Sequence, residues 1–269
     1  MLEFVKGRRG RELVISADGP TVYLDHSPMR RLSEDASRRD RFFRLFKRRG
    51  TLHISLANVV DTCGNSGLSA YKLERFLERV ERHWAPINMN AAEVSTLEQT
   101  WHPGRAHPAT GWRFIIDYLG HAAGPLSLRE VVKLTRGENG SALLREHDEQ
   151  AAKLRQHVLA MRLAVATDRR NLTRLLPIRT FDPAKPASFV YHALMRVVLA
   201  QSFDMTRNDV TDLLHTTVPL AYSDLLDRRW AEQARQVKRR MPDGNGARVF
   251  KVAELDTFLD ALAGYPETR

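Results

Sequence analysis

Several aspartates in this chain sit where folding alone does not require an acid. Asp25 closes the apolar run Thr-Val-Tyr-Leu-Asp-His-Ser, residues 21–27, and Asp61 ends the segment Ser-Leu-Ala-Asn-Val-Val-Asp, residues 55–61. In Asn-Asp-Val-Thr-Asp-Leu-Leu-His, residues 208–215, Asp209, Asp212 and His215 recur every third residue. That spacing puts the three on one stripe of a helix. Asp224 and Asp227 bracket Leu225-Leu226, so Asp227 ends an apolar strand as Asp25 does. Each has a plainer reading: Asp25 as a helix cap or turn residue, Asp61 as an exposed helical acid, and 209–215 as a solvated acidic face. Two carboxylates about 5 Å apart at an effective dielectric near 20 repel by roughly 3 kcal/mol. A pocket of three or four therefore calls for a bound cation. All-oxygen ligation suits Mg²⁺ or Mn²⁺.

The charge balance points to the ligand such a cation would serve. Lys and Arg number 42 against 32 for Asp and Glu, a formal net charge of +10. The basic residues cluster in Gly-Arg-Arg-Gly-Arg, Lys-Arg-Arg-Gly and Gln-Val-Lys-Arg-Arg-Met. A basic surface around an acidic pocket suits a polyanion whose phosphodiester is brought against a metal ion. Arg30, Arg31, Arg228 and Arg229 follow two of the candidate strand ends and are expected to contact phosphate.

The elements that must position these residues read as an alternation of strands and helices. Strands are expected over 21–27, 51–56, 84–87, 223–226 and 248–252. Helices are expected over 29–49, 57–62, 68–83, from Asn90 onward, and over 206–222, 229–241 and 253–263. In the third helix Leu73, Phe76, Leu77 and Val80 recur at i, i+3, i+4 and i+7. This rhythm predicts an α/β fold with a central, mainly parallel sheet. From about residue 100 to 204 the rhythm is broken by Pro and Gly and then becomes helical, over 141–167 and 187–201. The expected organisation is a discontinuous domain of 1–99 and 205–269 with a mostly helical insertion, 100–204.

Together these pieces resemble the PIN-like nuclease superfamily. The resemblance rests on residues 21–27, 55–61, 208–215 and 225–230 (Leu-Leu-Asp-Arg-Arg-Trp). It implies a PIN-like three-layer domain in which Asp25, Asp61, Asp209 or Asp212, and Asp227 form a catalytic acidic site. Asp25, Asp209, Asp212 and Asp227 would bind Mg²⁺ or Mn²⁺, and His215 would orient a carboxylate or contact phosphate, or else serve as a core histidine. The implied activity is hydrolysis of RNA or single-stranded DNA. The chain departs from the family pattern in three ways: Asp61 replaces a usual Glu, Leu226 stands where Ser or Thr is common, and the helical insertion is large. These departures leave open a non-catalytic module, binding nucleic acid or protein through a degenerate pocket. A homo-oligomer or a regulatory protein partner is compatible with either reading.

Other chemistries find little support. Cys63 is the one cysteine, so neither an internal disulfide nor a thiolate cluster is expected. No phosphate-binding Gly-rich loop or nucleophile elbow occurs. No run of 18 apolar residues suggests a membrane span, and the first residues lack an apolar leader core, so a cytoplasmic location is expected.

Overall fold

The computed structural model describes residues 2–7, 10–15, 19–47, 50–56, 58–59, 62, 67–81, 83–102, 107–110, 127–136, 138–168, 170–200, 205–223, 225–227 and 230–265. The chain opens with an antiparallel pair, β1 (Leu2–Gly7) and β2 (Gly10–Ile15), which the sequence reading did not anticipate. Five short strands then build one sheet: β3 (Thr21–Leu24), β4 (Thr51–Ile54), β5 (Trp84–Pro86), β6 (Leu225–Asp227) and β7 (Arg248–Phe250). Their order is β5-β4-β3-β6-β7, and every neighbouring pair is parallel. The chain is thus mixed α/β, with helices more abundant than strands.

Side-chain alternation explains why helices cover both faces of this sheet. In β3, Val22 and Leu24 point to one face and Tyr23 to the other, since successive strand residues alternate. The first face buries Val22, Leu24, Leu52 and Ile54 against α1 (His26–Glu34), α2 (Ala36–Phe46), α3 (Gly67–Val80), α5 (Leu128–Arg136) and the last helix, α11 (Leu255–Ala263). Phe42 lies at its centre, with its ring against those of Phe43, Phe46 and Phe76. The i, i+3, i+4, i+7 residues of α3 are all buried there, as the spacing predicts.

The opposite face packs Tyr23 with α4 (Ala91–Thr100), α6 (Glu138–Thr167), α8 (Pro186–Ala200), α9 (Arg207–Tyr222) and α10 (Ala231–Lys238). α7 (Asn171–Leu175) follows α6. α6 and α8, from the predicted helical insertion, share this hydrophobic cluster with Tyr23 and Ile87. They form part of the layer covering the sheet.

Two local differences from the sequence reading have clear causes. The helix expected over 29–49 is two helices, because Asp35 is extended, with φ −97° and ψ 106°. Its carboxylate accepts from Arg38 N at 3.0 Å, so it caps α2 just as α1 ends. The helix also begins earlier, at His26, with Asp25 as its cap. Among the described residues no helix is long and apolar enough to cross a membrane.

Glu98, buried on α4, holds α8 to the rest of the fold. Its carboxylate accepts from the backbone N–H groups of Ala187 and Ser188, at 2.7 and 2.9 Å. Pro186 opens that helix. Proline has no N–H to satisfy in a first turn, and the two donors after it meet a full negative charge where the helix dipole favours one. The Tyr222 hydroxyl, at the end of α9, also donates to Glu98. Glu98→Gln keeps the shape and removes the charge. It is expected to lower the unfolding free energy by about 1–3 kcal/mol in urea melts. Burial, then the hydrogen bond and charge of Glu98, push the Tyr222 phenol far above its ordinary value of 10.0. The unfolded phenol ionises near that value while the folded one keeps its proton. The resulting stability is complete below about pH 10 and declines above it. Melts from about pH 9 to pH 11 are expected to show this decline in the parent chain and a shallower one in Tyr222→Phe.

Candidate functional site

Sheet order decides where the site lies. Running from β3, the chain adds β4 and then β5 on one side, and later β6 and β7 on the other. The strand order therefore reverses between β3 and β6. Open α/β sheets bind ligands at such a reversal.

Two candidate acids stand at this reversal. Asp25 directly follows Leu24, the last residue of β3, and Asp227 is the last residue of β6. The register pairs Leu24 with Asp227, so Asp25 and Asp227 belong to adjoining strand ends. Neighbouring strands lie about 4.8 Å apart. Asp25 is half-buried, and one oxygen accepts from His26 N at 2.8 Å, which caps α1. The cap anticipated as the plain alternative is therefore present. It engages one oxygen with a backbone donor at the rim formed by the strand ends. The side chain of Asp227 lies outside the described residues, as do Asp61, Asp224, Arg228 and Arg229.

α9 carries the other candidate acids, Asp209 and Asp212. His215 is buried, and its Nδ1 lies 3.2 Å from the Tyr23 hydroxyl, one residue short of the end of β3. That contact fixes the height of α9 against the sheet. Asp212 is one turn nearer the helix start, about 4.5 Å farther along the axis. It is half-buried, with Oδ2 screened from solvent. Asp209 is a further turn out, about 9 Å beyond His215. Its carboxylate forms a capping box: Oδ2 accepts from Thr206 N at 2.9 Å and from Thr206 Oγ1 at 2.7 Å, while Thr206 Oγ1 accepts from Asp209 N. Asp209 thus serves the helix end. Of the two acids, Asp209 is thus committed to the helix cap, while Asp212 lies one turn further into α9.

His215 is placed in the core with Nδ1 toward Tyr23, as the core alternative for this residue expects. Arg30 and Arg31 are exposed on α1, more than a turn beyond Asp25. Arg30 Nε donates to Glu34 at 3.0 Å, and Glu34 also accepts from Ser69. Those hydrogen bonds, that from Arg30 foremost, hold the Glu34 carboxyl below its ordinary value. An exposed pair of this kind is weak, so the guanidinium can exchange Glu34 for another anion.

Beneath the rim runs a buried polar chain that motif reasoning missed. Tyr23 Oη is 3.1 Å from Ser55 Oγ, and Ser55 Oγ and N both donate to Asn58 Oδ1 at 2.9 Å. Asn58 Nδ2 donates to the Leu24 carbonyl at 3.2 Å. Ser55 and Asn58 were legible as polar residues in the apolar stretch 52–60, but their partners belong to other elements. Among the described residues no group of three or more His, Cys, Asp or Glu has the arrangement of a metal site. No family model, curated protein or solved structure matches the chain.

The capping box and Asp212 are separable by mutation. Thr206→Ala is expected to lower stability by about 1 kcal/mol. Asp209→Ala should do the same, and neither should change affinity for Mn²⁺ measured by calorimetry. Asp212→Ala should weaken Mn²⁺ binding more than it lowers the melting temperature. A larger loss of affinity from Asp209→Ala would reverse the assignment.

Proposed function

We propose that this chain is a metal-dependent nuclease with a PIN-like three-layer arrangement, hydrolysing phosphodiester bonds in RNA or single-stranded DNA. The observation that carries the reading is the parallel register of Leu24 with Asp227, which puts two acids on adjoining strand ends where the sheet order reverses. Carboxylates brought within about 5 Å of each other at an effective dielectric near 20 repel by roughly 3 kcal/mol, a repulsion that a bound cation would relieve.

The donor set fits a hard cation. Asp25 and Asp227, which follow and end β3 and β6, and Asp212 on α9 would hold the ion through carboxylate oxygens. Oxygen-only ligation with room for water suits Mg²⁺ or Mn²⁺. Bound there, the ion would supply an activated water and neutralise charge on the phosphate. The chain's own contributions are then three. Asp25, anchored through the α1 cap, holds a fixed position at the rim. Asp212 brings charge into a screened place, where electrostatic attraction is less damped. The excess of ten positive charges draws a polyanion toward the strand ends, with Arg30 and Arg31 beyond Asp25.

One observation favours a second reading, a binding module with a lapsed pocket. Asp209, one of the carboxylates the family resemblance implied, serves the helix cap, which leaves Asp25 and Asp212 as the described candidate ligands. The two readings separate on turnover. Purified chain is expected to cleave single-stranded RNA or DNA with Mg²⁺ or Mn²⁺ and to stop in EDTA. Asp25→Asn should remain folded by circular dichroism and lose roughly a thousandfold in rate, the equivalent of several kcal/mol of metal-assisted stabilisation. Nucleic-acid binding without turnover, together with no thermal shift on adding Mn²⁺, would support the binding module. Equal cleavage in EDTA would sink the metal mechanism.

A further inference from the structure

The buried chain below the rim has a direction that proton counting reveals. A serine or tyrosine hydroxyl donates one hydrogen, and an uncharged imidazole donates from one nitrogen. Ser55 Oγ gives its hydrogen to Asn58 Oδ1, so its contact with Tyr23 is a hydrogen bond only if Tyr23 donates. Tyr23 has then used its hydrogen, and the 3.2 Å contact with His215 requires Nδ1–H to donate. The one assignment satisfying all these contacts runs His215 Nδ1–H to Tyr23 to Ser55 to Asn58, and Asn58 Nδ2 to the Leu24 carbonyl.

The ends of this relay are what make it more than core satisfaction. It starts on α9, one turn from Asp212, and finishes on the carbonyl of the peptide joining Leu24 to Asp25. On the way it passes through Ser55 and Asn58, at the start of the helical turn whose sequence continues to Asp61. Tyr23, Ser55, Asn58 and His215 are all buried, so water does not compete for these bonds and each bond sets a spacing. A hydroxyl at this point links β3, the turn after β4 and α9, the three elements whose sequences carry Asp25, Asp61 and Asp212. An apolar side chain would pack the same space without fixing their relative heights.

We propose that Tyr23 is a positioning residue of the acidic site: its hydroxyl, held between Ser55 and His215, sets the spacing between Asp25, directly after β3, and Asp212 on α9. The inference rests on the metal-dependent reading above. Partners that orient metal-binding groups from behind commonly affect affinity or activity by 10–100-fold when removed. Tyr23→Phe removes one oxygen and keeps the ring. His215→Asn keeps a donor where Nδ1 stands, whereas His215→Leu fills the space with carbon.

The test measures Mn²⁺ affinity by water-proton relaxation and by calorimetry on the full chain, with melting temperatures alongside, and then kcat and KM on single-stranded RNA. Tyr23→Phe is expected to bind Mn²⁺ roughly 10–100-fold more weakly. Its kcat should fall and its KM should hold, because the basic surface is untouched. His215→Asn should retain affinity near that of the parent and His215→Leu should lose it. A purely packing role predicts the reverse order, with Leu tolerated at least as well as Asn. Parent-like Mn²⁺ affinity in Tyr23→Phe, or in His215→Leu, would overturn the proposal. Should Tyr23→Phe not fold, the His215 pair decides by the same ordering. If the parent chain binds no Mn²⁺ at all, the metal-dependent reading falls and this inference falls with it. A parent that binds Mn²⁺ beside a Tyr23→Phe variant that binds it equally well overturns this inference alone.

Discussion

The parallel pairing of β3 with β6 sets the position of every candidate group. Because β4 and β5 lie on one side of β3 while β6 and β7 lie on the other, the strand order reverses between β3 and β6. A slip of one residue in that register would turn Tyr23 away from α9 and carry Asp227 away from Leu24, since side chains alternate with a period of two. The apolar faces resist such a slip. Val22 and Leu24 are buried against the phenylalanines of α2 and α3, and Tyr23 against α8 and α9. Core packing therefore fixes the register, and the register places the acids.

The two helical layers act differently on the rim. The layer containing α1 starts at it, with Asp25 both the end of a strand and the cap of a helix. The layer containing α9 passes it, and its height is set by the contact between His215 and Tyr23. Glu98 joins the second layer to itself, from α4 to the start of α8 and the end of α9. The helices between residues 138 and 200 are consequently part of the support for α9 as well as a lengthening of the chain.

Much of this was legible in the sequence because it is local. The alternation of apolar strands with amphipathic helices carried through to a parallel α/β sheet, and Asn90 caps α4 as its position suggested. Asp25 lies one residue past the end of β3 and caps α1, the plainer of its two sequence readings. The capping box at Thr206 and Asp209 was also local, two residue types three apart before an apolar run, and it competes with any metal role for Asp209. The break at Asp35 was missed because the apolar spacing runs on across it. The Tyr23, Ser55, Asn58 and His215 chain could not be read locally, since Tyr23 and His215 are 192 positions apart. Hydrogen bonds between such residues follow from the fold and leave no periodic trace.

The central claim is that Asp25, Asp212 and Asp227 converge on one divalent cation at the reversal of the sheet. Anomalous diffraction from crystals soaked in Mn²⁺ tests it most directly. The account predicts a peak at the carboxyl ends of β3 and β6, with oxygens of Asp25 and Asp227 about 2.1–2.3 Å away and Asp212 bound directly or through one water. No peak at that rim under saturating Mn²⁺, or a peak bound by other residues, would contradict it.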